Sequence, residues 1–304
     1  MASDQADRLR EIDDLLASAA ELNRLFPDAV LVGGTAAAVH ASHRLSTDAD
    51  FILPDLSERF EDVFGTMDAS GEWELARSKP PVVIMGNFHG VETTLRQLIR
   101  NRPLETEKVQ GPSGPVTVPT LDEMIRVKAW LVLTRNAYRD YLDLAALSDV
   151  AGPERVRAVF AGFDDYYSDV DRKGVVRDVS PCLQLARQLF EPKPHDLAKG
   201  NEAERYKRVS ERWADPDRVL ESCAEIGFAI ADGLFSRAAA VENDLEAISK
   251  HKEPSISPAE VPPFPADTHE AHISQEGAVV VVRRKAEPGK SNARVDNPLG
   301  PAVV

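Results

Sequence analysis

The sequence contains little cysteine, with only Cys182 and Cys223 among 304 residues. Neither lies in a Cys-x-x-Cys pair or near a histidine at ligand spacing, so we expect neither a zinc site nor a disulfide framework. No apolar run approaches the roughly 20 residues that a membrane helix requires. The first ten residues are too polar for a secretory signal. We therefore expect a cytoplasmic protein that does not enter a membrane.

Positive charge is also scarce. Lys and Arg number 36 against 50 Asp and Glu, which gives a formal net charge of −14. This balance excludes a uniformly basic coat for nucleic acid, but it is compatible with a local basic groove. Residues 94–139 supply such a region, because four acidic residues stand there against eight basic ones. The basic residues are Arg96, Arg100, Arg102, Lys108, Arg126, Lys128, Arg135 and Arg139.

The apolar spacing divides the chain into three parts. Residues 1–119 alternate predicted helices and short strands, among them a strand at Asp48–Leu53 and a hairpin around His89-Gly90. Residues 120–252 carry only helical patterns and turns, beginning with a capping-box signal at Thr120. Residues 253–304 hold eight prolines and few large apolar side chains, so we expect a mostly disordered tail. The pattern predicts an α+β fold followed by a helical domain.

The stretch from Leu31 to Leu53, LVGGTAAAVHASHRLSTDADFIL, carries the first chemical signal. A strand delivers two glycines to the start of a small-residue helix, for which Thr35 is the expected N-cap. Backbone N–H groups at such a start can bind a phosphate. Asp48 and Asp50, two apart on the next strand, point to the same face. Two close carboxylates require a cation, and Mg²⁺ with nucleotide phosphates meets that need.

A second signal lies further along the chain. If residues 121–147 formed one helix, Lys128, Arg135, Arg139 and Asp143 would fall within roughly 60° of one another at about 100° per residue. Asp140 would then lie about 120° from Lys128, and it would reach the same site only if the helix broke near Asn136. Both carboxylates therefore remain candidates.

Two segments resemble the polymerase-β-type nucleotidyltransferases, and more closely the AbiEii/MenT branch, the toxins of type IV toxin–antitoxin systems. The first reads Gly33-Gly34-Thr35, then His43-Arg44-x-Ser46-x-Asp48-x-Asp50-Phe51. The second reads Lys128, then Arg139-Asp140-x-x-Asp143-Leu144. The resemblance implies a minimal nucleotidyltransferase mixed sheet flanked by helices. It also implies transfer of a nucleoside monophosphate from an NTP to RNA, plausibly the tRNA 3′ end, and an antitoxin partner.

The resemblance also implies roles for individual residues. The catalytic residues would be Asp48, Asp50, Lys128 and Asp140, with Mg²⁺ held by Asp48 and Asp50. The nucleotide would bind to Gly33, Gly34, Thr35, Arg44, Ser46, Arg139 and Asp143. One departure from the superfamily pattern is that the expected third carboxylate is missing, and Glu92 is the only candidate for it. Two alternatives therefore stay open: a transferase of the same fold acting on a protein or small molecule, and a catalytically inactive NTP- or RNA-binding module.

Overall fold

The computed structural model describes residues 2–100, 102–167, 180–197 and 209–250. Its first part contains three helices, α1 (Ala2–Leu25), α2 (Gly33–Ala41) and α3 (Phe60–Ala69). Its strands are β1 (Val30–Val32), β2 (Asp48–Leu53), β3 (Trp73–Lys79), β4 (Val83–Phe88), β5 (Val91–Gln97), β6 (Thr106–Gly111) and β7 (Gly114–Pro119). The helices that follow are α4 (Leu121–Arg135), α5 (Tyr138–Ala151), α6 (Pro153–Ala161), α7 (Phe163–Tyr167), α8 (Pro181–Phe190), a 3-10 turn at Glu211–Trp213, and α9 (Pro216–Lys250).

Five of the strands form one mixed sheet in the order β1-β2-β5-β4-β3. Strands β2 and β5 are parallel, while the other neighbouring pairs are antiparallel. Strands β6 and β7 form a separate hairpin. The predicted α+β class, with a mixed sheet flanked by helices and a helical region after it, is confirmed.

The apolar side chains form two main cores. One lies between α1, α3 and a face of the five-stranded sheet, around residues such as Leu22, Phe51 and Leu95. The other joins the helices from α4 onward, around Tyr141, Leu144 and Phe160. Each amphipathic element thus buries its apolar stripe against its neighbours, as the 3.6-residue and two-residue periods require. The domain boundary between residues 119 and 120 remains a prediction, and the predicted disordered tail lies outside the described residues.

The chain divides into two compact units at Ala238 and Ala239. The first unit contains all of the strands that the structure describes and helices α1 to α8. Of the second unit, the structure describes residues 239–250, which are helical.

The structure answers one open question and corrects the sequence analysis at two other places. The helical stretch from Leu121 to Leu147, for which a break near Asn136 was left open, is interrupted at Asn136, which adopts a left-handed conformation with φ of 52°. Strand β3 was missed because most of its residues are exposed, so its apolar alternation is weak. Thr35 is not the N-cap of α2: the helix begins at Gly33 after Val32, and the Thr35 hydroxyl instead donates to the backbone carbonyl of Asp48 at 2.6 Å.

Candidate active site

The carboxylates of Asp48 and Asp50 project from the same face of β2. Asp48 is exposed and Asp50 is half-buried. In the parallel register, Asp48 pairs with Glu92 and Asp50 with Thr94, so Glu92 lies on this same face of the sheet. Arg96, two residues further along β5, brings its Nε to 4.0 Å from Asp50 Oδ1. The pair is therefore accessible, with a guanidinium close to one of its members.

The first turn of α2 packs against Asp50. Gly33 has a φ of +73°, a conformation that suits glycine. A Cβ on Gly33 would lie 2.8 Å from Asp50 Oδ2, closer than real Cβ contacts allow. The N-cap residue, Val32, makes no side-chain cap, so α2 begins without a side chain satisfying its first N–H groups. Because Gly33 has no Cβ and Val32 provides no side-chain cap, the start of α2 is open next to the carboxylate of Asp50.

Gly34 makes room for a second pair of side chains. A Cβ there would lie 2.8 Å from Ser46 Oγ, and it would overlap the guanidinium of Arg44. Arg44 and Ser46 thus lie directly against the first turn of α2. The resemblance assigned Gly33, Gly34, Arg44 and Ser46 to nucleotide binding, and the structure brings all four together.

Asp143 forms the centre of a buried ion-pair network, here called the Asp143 cluster. Its carboxylate accepts two bonds from Arg44, from Nε at 2.6 Å and from Nη2 at 3.0 Å. Lys128 Nζ lies 2.7 Å from Asp143 Oδ2, and His43 Nε2 lies 2.7 Å from Oδ1. Asp140 completes the cluster, because its Oδ1 lies 3.5 Å from Lys128 Nζ.

The electrostatics of this cluster follow from its burial. Burial alone would raise the pKa of Asp143, but Arg44 and Lys128 outweigh it and hold that pKa well below its usual value. Burial alone would lower the pKa of Arg44, and Asp143 outweighs it and raises that pKa. Asp143 and Arg44 are therefore both charged, and each lies buried beside the opposite charge of the other.

The break at Asn136 brings to Lys128 both of the carboxylates that the sequence left open. In one straight helix Asp140 would lie about 120° from Lys128. Because α4 ends at Arg135 and α5 begins at Tyr138, both Asp140 and Asp143 reach Lys128. Both are fully buried.

Side chains from the later helical region hold this break. Gln188 on α8 donates from Nε2 to the carbonyl of Val132 at 2.8 Å and to Asn136 Oδ1 at 3.0 Å. The hydroxyl of Tyr141 donates to the same Asn136 oxygen at 2.6 Å. Burial raises the pKa of Tyr141 to about 12, so it is a neutral donor. Sequence reasoning missed Gln188, because nothing in its local pattern distinguishes it from a solvated helix residue.

Four arginines of segment 94–139 form two groups with different surroundings. Arg100 and Arg126 form ion pairs with the fully buried Glu123 and are mostly buried themselves. Arg135 and Arg139 instead flank the break at Asn136, half-buried and exposed respectively. Burial, together with the nearby charges of Arg139 and Arg96, lowers the pKa of Arg135. Positive charge therefore accumulates beside Asp50 and Asp140, whereas Arg100 and Arg126 have structural partners.

Asp48 and Asp50 are the residues that could hold a metal ion whose remaining ligands come from a substrate. Mg²⁺ is commonly bound by one or two carboxylates together with waters and substrate phosphates. Within the part of the chain that the structure describes, no group of three or more His, Cys, Asp or Glu side chains is placed to hold a metal ion. Asp48 and Asp50 fit a shared, substrate-dependent ion and do not form a closed protein cage.

Comparison with known proteins gives partial matches. No model of a known protein family matches the chain. The heme uptake protein MmpL11 of Mycobacterium tuberculosis is 39% identical over 101 residues, which are 32% of this chain and 10% of that protein. The mycolic acid-containing lipids exporter MmpL11 of Mycolicibacterium smegmatis is 33% identical over 119 residues, which are 37% and 12%. The chain thus spans about a tenth of these relatives. Among its described residues, no helix has the length and apolar character needed to cross a membrane.

Several solved structures are distantly similar. The antibiotic-resistance factor ANT(2'')-Ia is 15% identical, with 54% of this chain and 94% of that chain covered and a TM-score of 0.36. A candidate nucleotidyltransferase from H. pylori is 13% identical, with 77% and 96% covered and a TM-score of 0.44. An antigenic nucleotidyltransferase-like protein from Paracoccidioides brasiliensis is 13% identical, with 50% and 87% covered and a TM-score of 0.34. Because these scores lie below 0.5, the function is argued from the site.

Proposed function

We propose that this chain is a magnesium-dependent nucleotidyltransferase that moves a nucleoside monophosphate from an NTP to a hydroxyl and releases pyrophosphate. One observation carries the proposal. Asp48 and Asp50 share a strand face against the open start of α2, and Arg44 joins that helix start to the Asp143 cluster. A phosphate-binding helix start beside a carboxylate pair suits metal-assisted phosphoryl chemistry.

The start of α2 would bind the phosphates. The N–H groups of Gly33 and Gly34 belong to the turn that lacks a side-chain cap, and a helix N-terminus favours an anion. Thr35 acts from behind this turn, because its hydroxyl holds the backbone of Asp48 at 2.6 Å. Ser46, whose hydroxyl lies against Gly34, would complete the polar wall.

Asp48 and Asp50 would hold Mg²⁺. When bound, the ion would polarise the α-phosphate and neutralise charge on the leaving pyrophosphate. The protein fixes the positions of the two carboxylates. Asp50 packs against Gly33, and the backbone carbonyl of Asp48 accepts a hydrogen bond from the Thr35 hydroxyl. Glu92, in register with Asp48 on the same sheet face, is the candidate to accept the proton of the attacking hydroxyl.

The basic residues that would bind the triphosphate differ from those that the resemblance implies. Lys128 and Arg44 already compensate Asp143, so they have little charge left for a triphosphate. Among the described residues, no carboxylate lies within ion-pair distance of Arg135 or Arg139. These two guanidiniums would therefore contact the phosphates, and Lys128 would orient the carboxylates around it.

The finer assignment follows the motif resemblance. We propose a toxin of the AbiEii/MenT type, with RNA such as the tRNA 3′ end as the acceptor and a cognate antitoxin as the partner. The cations that flank Asn136 would give the acceptor a positively charged approach within an acidic chain. Phosphate contacts of this kind dominate RNA affinity.

The test is transfer of α-labelled NTPs, with and without Mg²⁺, onto total RNA, onto total protein, and with no acceptor. Label on RNA that requires Mg²⁺ is the expected result. Asp48→Asn and Asp50→Asn should each lower transfer by more than tenfold, while Asp68→Asn, an exposed carboxylate on α3, should leave it unchanged. Activity above a tenth of wild type in either site variant would reject the metal assignment.

A second candidate function is a module without catalysis. The stretch shared with MmpL11, at 33–39% identity over 101–124 residues, favours it, because those relatives are described as transport proteins. Such a module would bind NTP or RNA, yet transfer no label in the same assay. Label on protein or on a small molecule would instead support the third alternative, a transferase of the same fold with a different acceptor.

A further inference from the structure

We propose that Gln188 is a positioning residue, which places Asp140 against Lys128 by holding the break between α4 and α5. The inference rests on the proposed function, in which Lys128 orients the buried carboxylates of the Asp143 cluster behind the nucleotide site. It assigns a role in transfer to a segment of the helical region, residues 188–196, that neither motif includes.

The break itself is unusual for the local sequence. Asn136 adopts a left-handed conformation that an L-residue rarely takes, although asparagine tolerates it best. Its own N–H donates to the carbonyl of Val132 at 3.0 Å, which ends α4. The chain needs further interactions to keep this conformation in place of a continuous helix.

Residues 188–196 provide those interactions. Gln188 Nε2 bonds both the Val132 carbonyl and Asn136 Oδ1, and it lies 2.8 Å from the Tyr141 hydroxyl. The side-chain nitrogen of Asn136, Nδ2, donates to the carbonyl of Lys193 at 2.9 Å. The backbone carbonyl of Asn136 accepts from the N–H of His195 at 3.0 Å.

The same segment also caps the helix that follows. The N–H of Tyr138, at the start of α5, donates to Asp196 Oδ1 at 2.8 Å. This bond supplies the partner that the first turn of a helix lacks. Both sides of the break are therefore bonded by one segment, and α5 leaves the break in the direction that puts Asp140 Oδ1 at 3.5 Å from Lys128 Nζ.

Gln188 is the residue in which this role can be tested. Its amide nitrogen lies within hydrogen-bond distance of three acceptors, the Val132 carbonyl at the end of α4, the side chain of Asn136 and the hydroxyl of Tyr141, which share its two hydrogens. Its neighbour Arg187 is exposed on the same helix, which makes Arg187→Gln a matched control. Gln188→Leu keeps the size of the side chain and removes the bonds.

The first measurement is transfer kinetics of the full chain. Gln188→Leu should lower kcat at least tenfold, because it removes the bonds that hold Asp140 against Lys128. The KM for the NTP should rise as well, since Arg135 and Arg139, which would contact the phosphates, flank the same break. Asn136→Gly tests the Asn136 side chain apart from its backbone conformation, since glycine adopts the left-handed conformation freely but cannot bond Gln188. This variant should show the same decrease in kcat as Gln188→Leu. Wild-type kcat in both variants would overturn the proposal.

The second measurement needs no activity. A brief pulse of an amine-reactive acylating reagent, read by mass spectrometry, reports the accessibility of Lys128, which is buried beside Asp140 and Asp143. Gln188→Leu should raise its labelling at least fivefold, Arg187→Gln should not, and the buried thiol of Cys182 should stay unreactive in both. Unchanged labelling of Lys128 would overturn the positioning role. If the wild type transfers no nucleotide, but Gln188→Leu still raises the acylation of Lys128, the proposed function alone is rejected.

Discussion

Replacing Asp143 with asparagine should lower the free energy of unfolding by about 3–5 kcal/mol, the range for removing one partner of a buried ion pair. The substitution keeps the shape and removes the charge that compensates Arg44 and Lys128. Among the described residues, Lys128 would retain Asp140 at 3.5 Å, and Arg44 would retain its hydrogen bond to the carbonyl of Leu45 at 3.3 Å. Since domains are stable by about 5–15 kcal/mol, the loss would be a large fraction of the total.

The assay is equilibrium urea unfolding followed by circular dichroism. Asp149→Asn is the matched control, because Asp149 lies on the same helix and pairs with Arg212 at the surface. It should cost no more than about 1 kcal/mol. Adding Arg44→Met to Asp143→Asn should recover part of the loss, since it removes the cation that lost its carboxylate partner and keeps Lys128 beside Asp140. A loss below 1 kcal/mol for Asp143→Asn, or strictly additive effects in the double variant, would refute the cluster's energetics.

The pH dependence gives the same prediction an independent test. The pKa of Asp143 is depressed in the folded state, so its stabilisation is fully present above the ordinary carboxyl pKa of about 4. That stabilisation is lost as the pH falls through the folded-state pKa. The difference between wild type and Asp143→Asn should therefore be constant from pH 8 to 5 and shrink only at more acidic pH. A difference that shrinks between pH 7 and 5 would contradict the assignment.

Four further predictions concern local features, each measured by urea unfolding or thiol titration. Gly34→Ala should destabilise by about 1–3 kcal/mol, because its Cβ would overlap a guanidinium and a hydroxyl. Gly65→Ala, in open space within α3, should stabilise by about 0.5–1 kcal/mol. Thr120→Ala should cost about 1 kcal/mol, since the Thr120 hydroxyl accepts the N–H of Glu123 at the start of α4. Cys223 should react with a thiol reagent only on unfolding, because burial raises its pKa and shields it.

The parts of the fold that sequence predicted are those set by local patterns. Strand β2 begins and ends at the predicted residues, Asp48 and Leu53, since the apolar run Phe51–Leu53 is stopped by Pro54. The predicted hairpin turns at His89 and Gly90, both of which have positive φ, as a tight two-residue turn demands. Thr120 is the predicted cap of α4.

The parts that sequence could not predict depend on distant residues. Residues 121–147 look continuously helical, and the bonds that break the helix at Asn136 come from Gln188, Lys193 and His195, more than 50 positions away. Thr35 has the residue type of an N-cap for α2, but its hydroxyl donates a hydrogen bond to the backbone carbonyl of Asp48 on β2. Tertiary contacts thus overrode local preference where the candidate site is assembled.

The charged residues of the site form two sets, the buried Asp143 cluster and the accessible groups on and beside β2. Within the Asp143 cluster, two carboxylates, Asp140 and Asp143, face two cations, Lys128 and Arg44, so the cluster is balanced before any substrate arrives. Changing that balance would leave a buried charge uncompensated, which makes the cluster a poor place to receive a polyphosphate. The accessible charges are elsewhere: two carboxylates on β2, and the guanidiniums of segment 94–139 beside them. A triphosphate with a divalent cation matches that second set in sign and in position, because the cation compensates the carboxylates while the phosphates meet the guanidiniums. The buried network then fixes the geometry on which such a match depends.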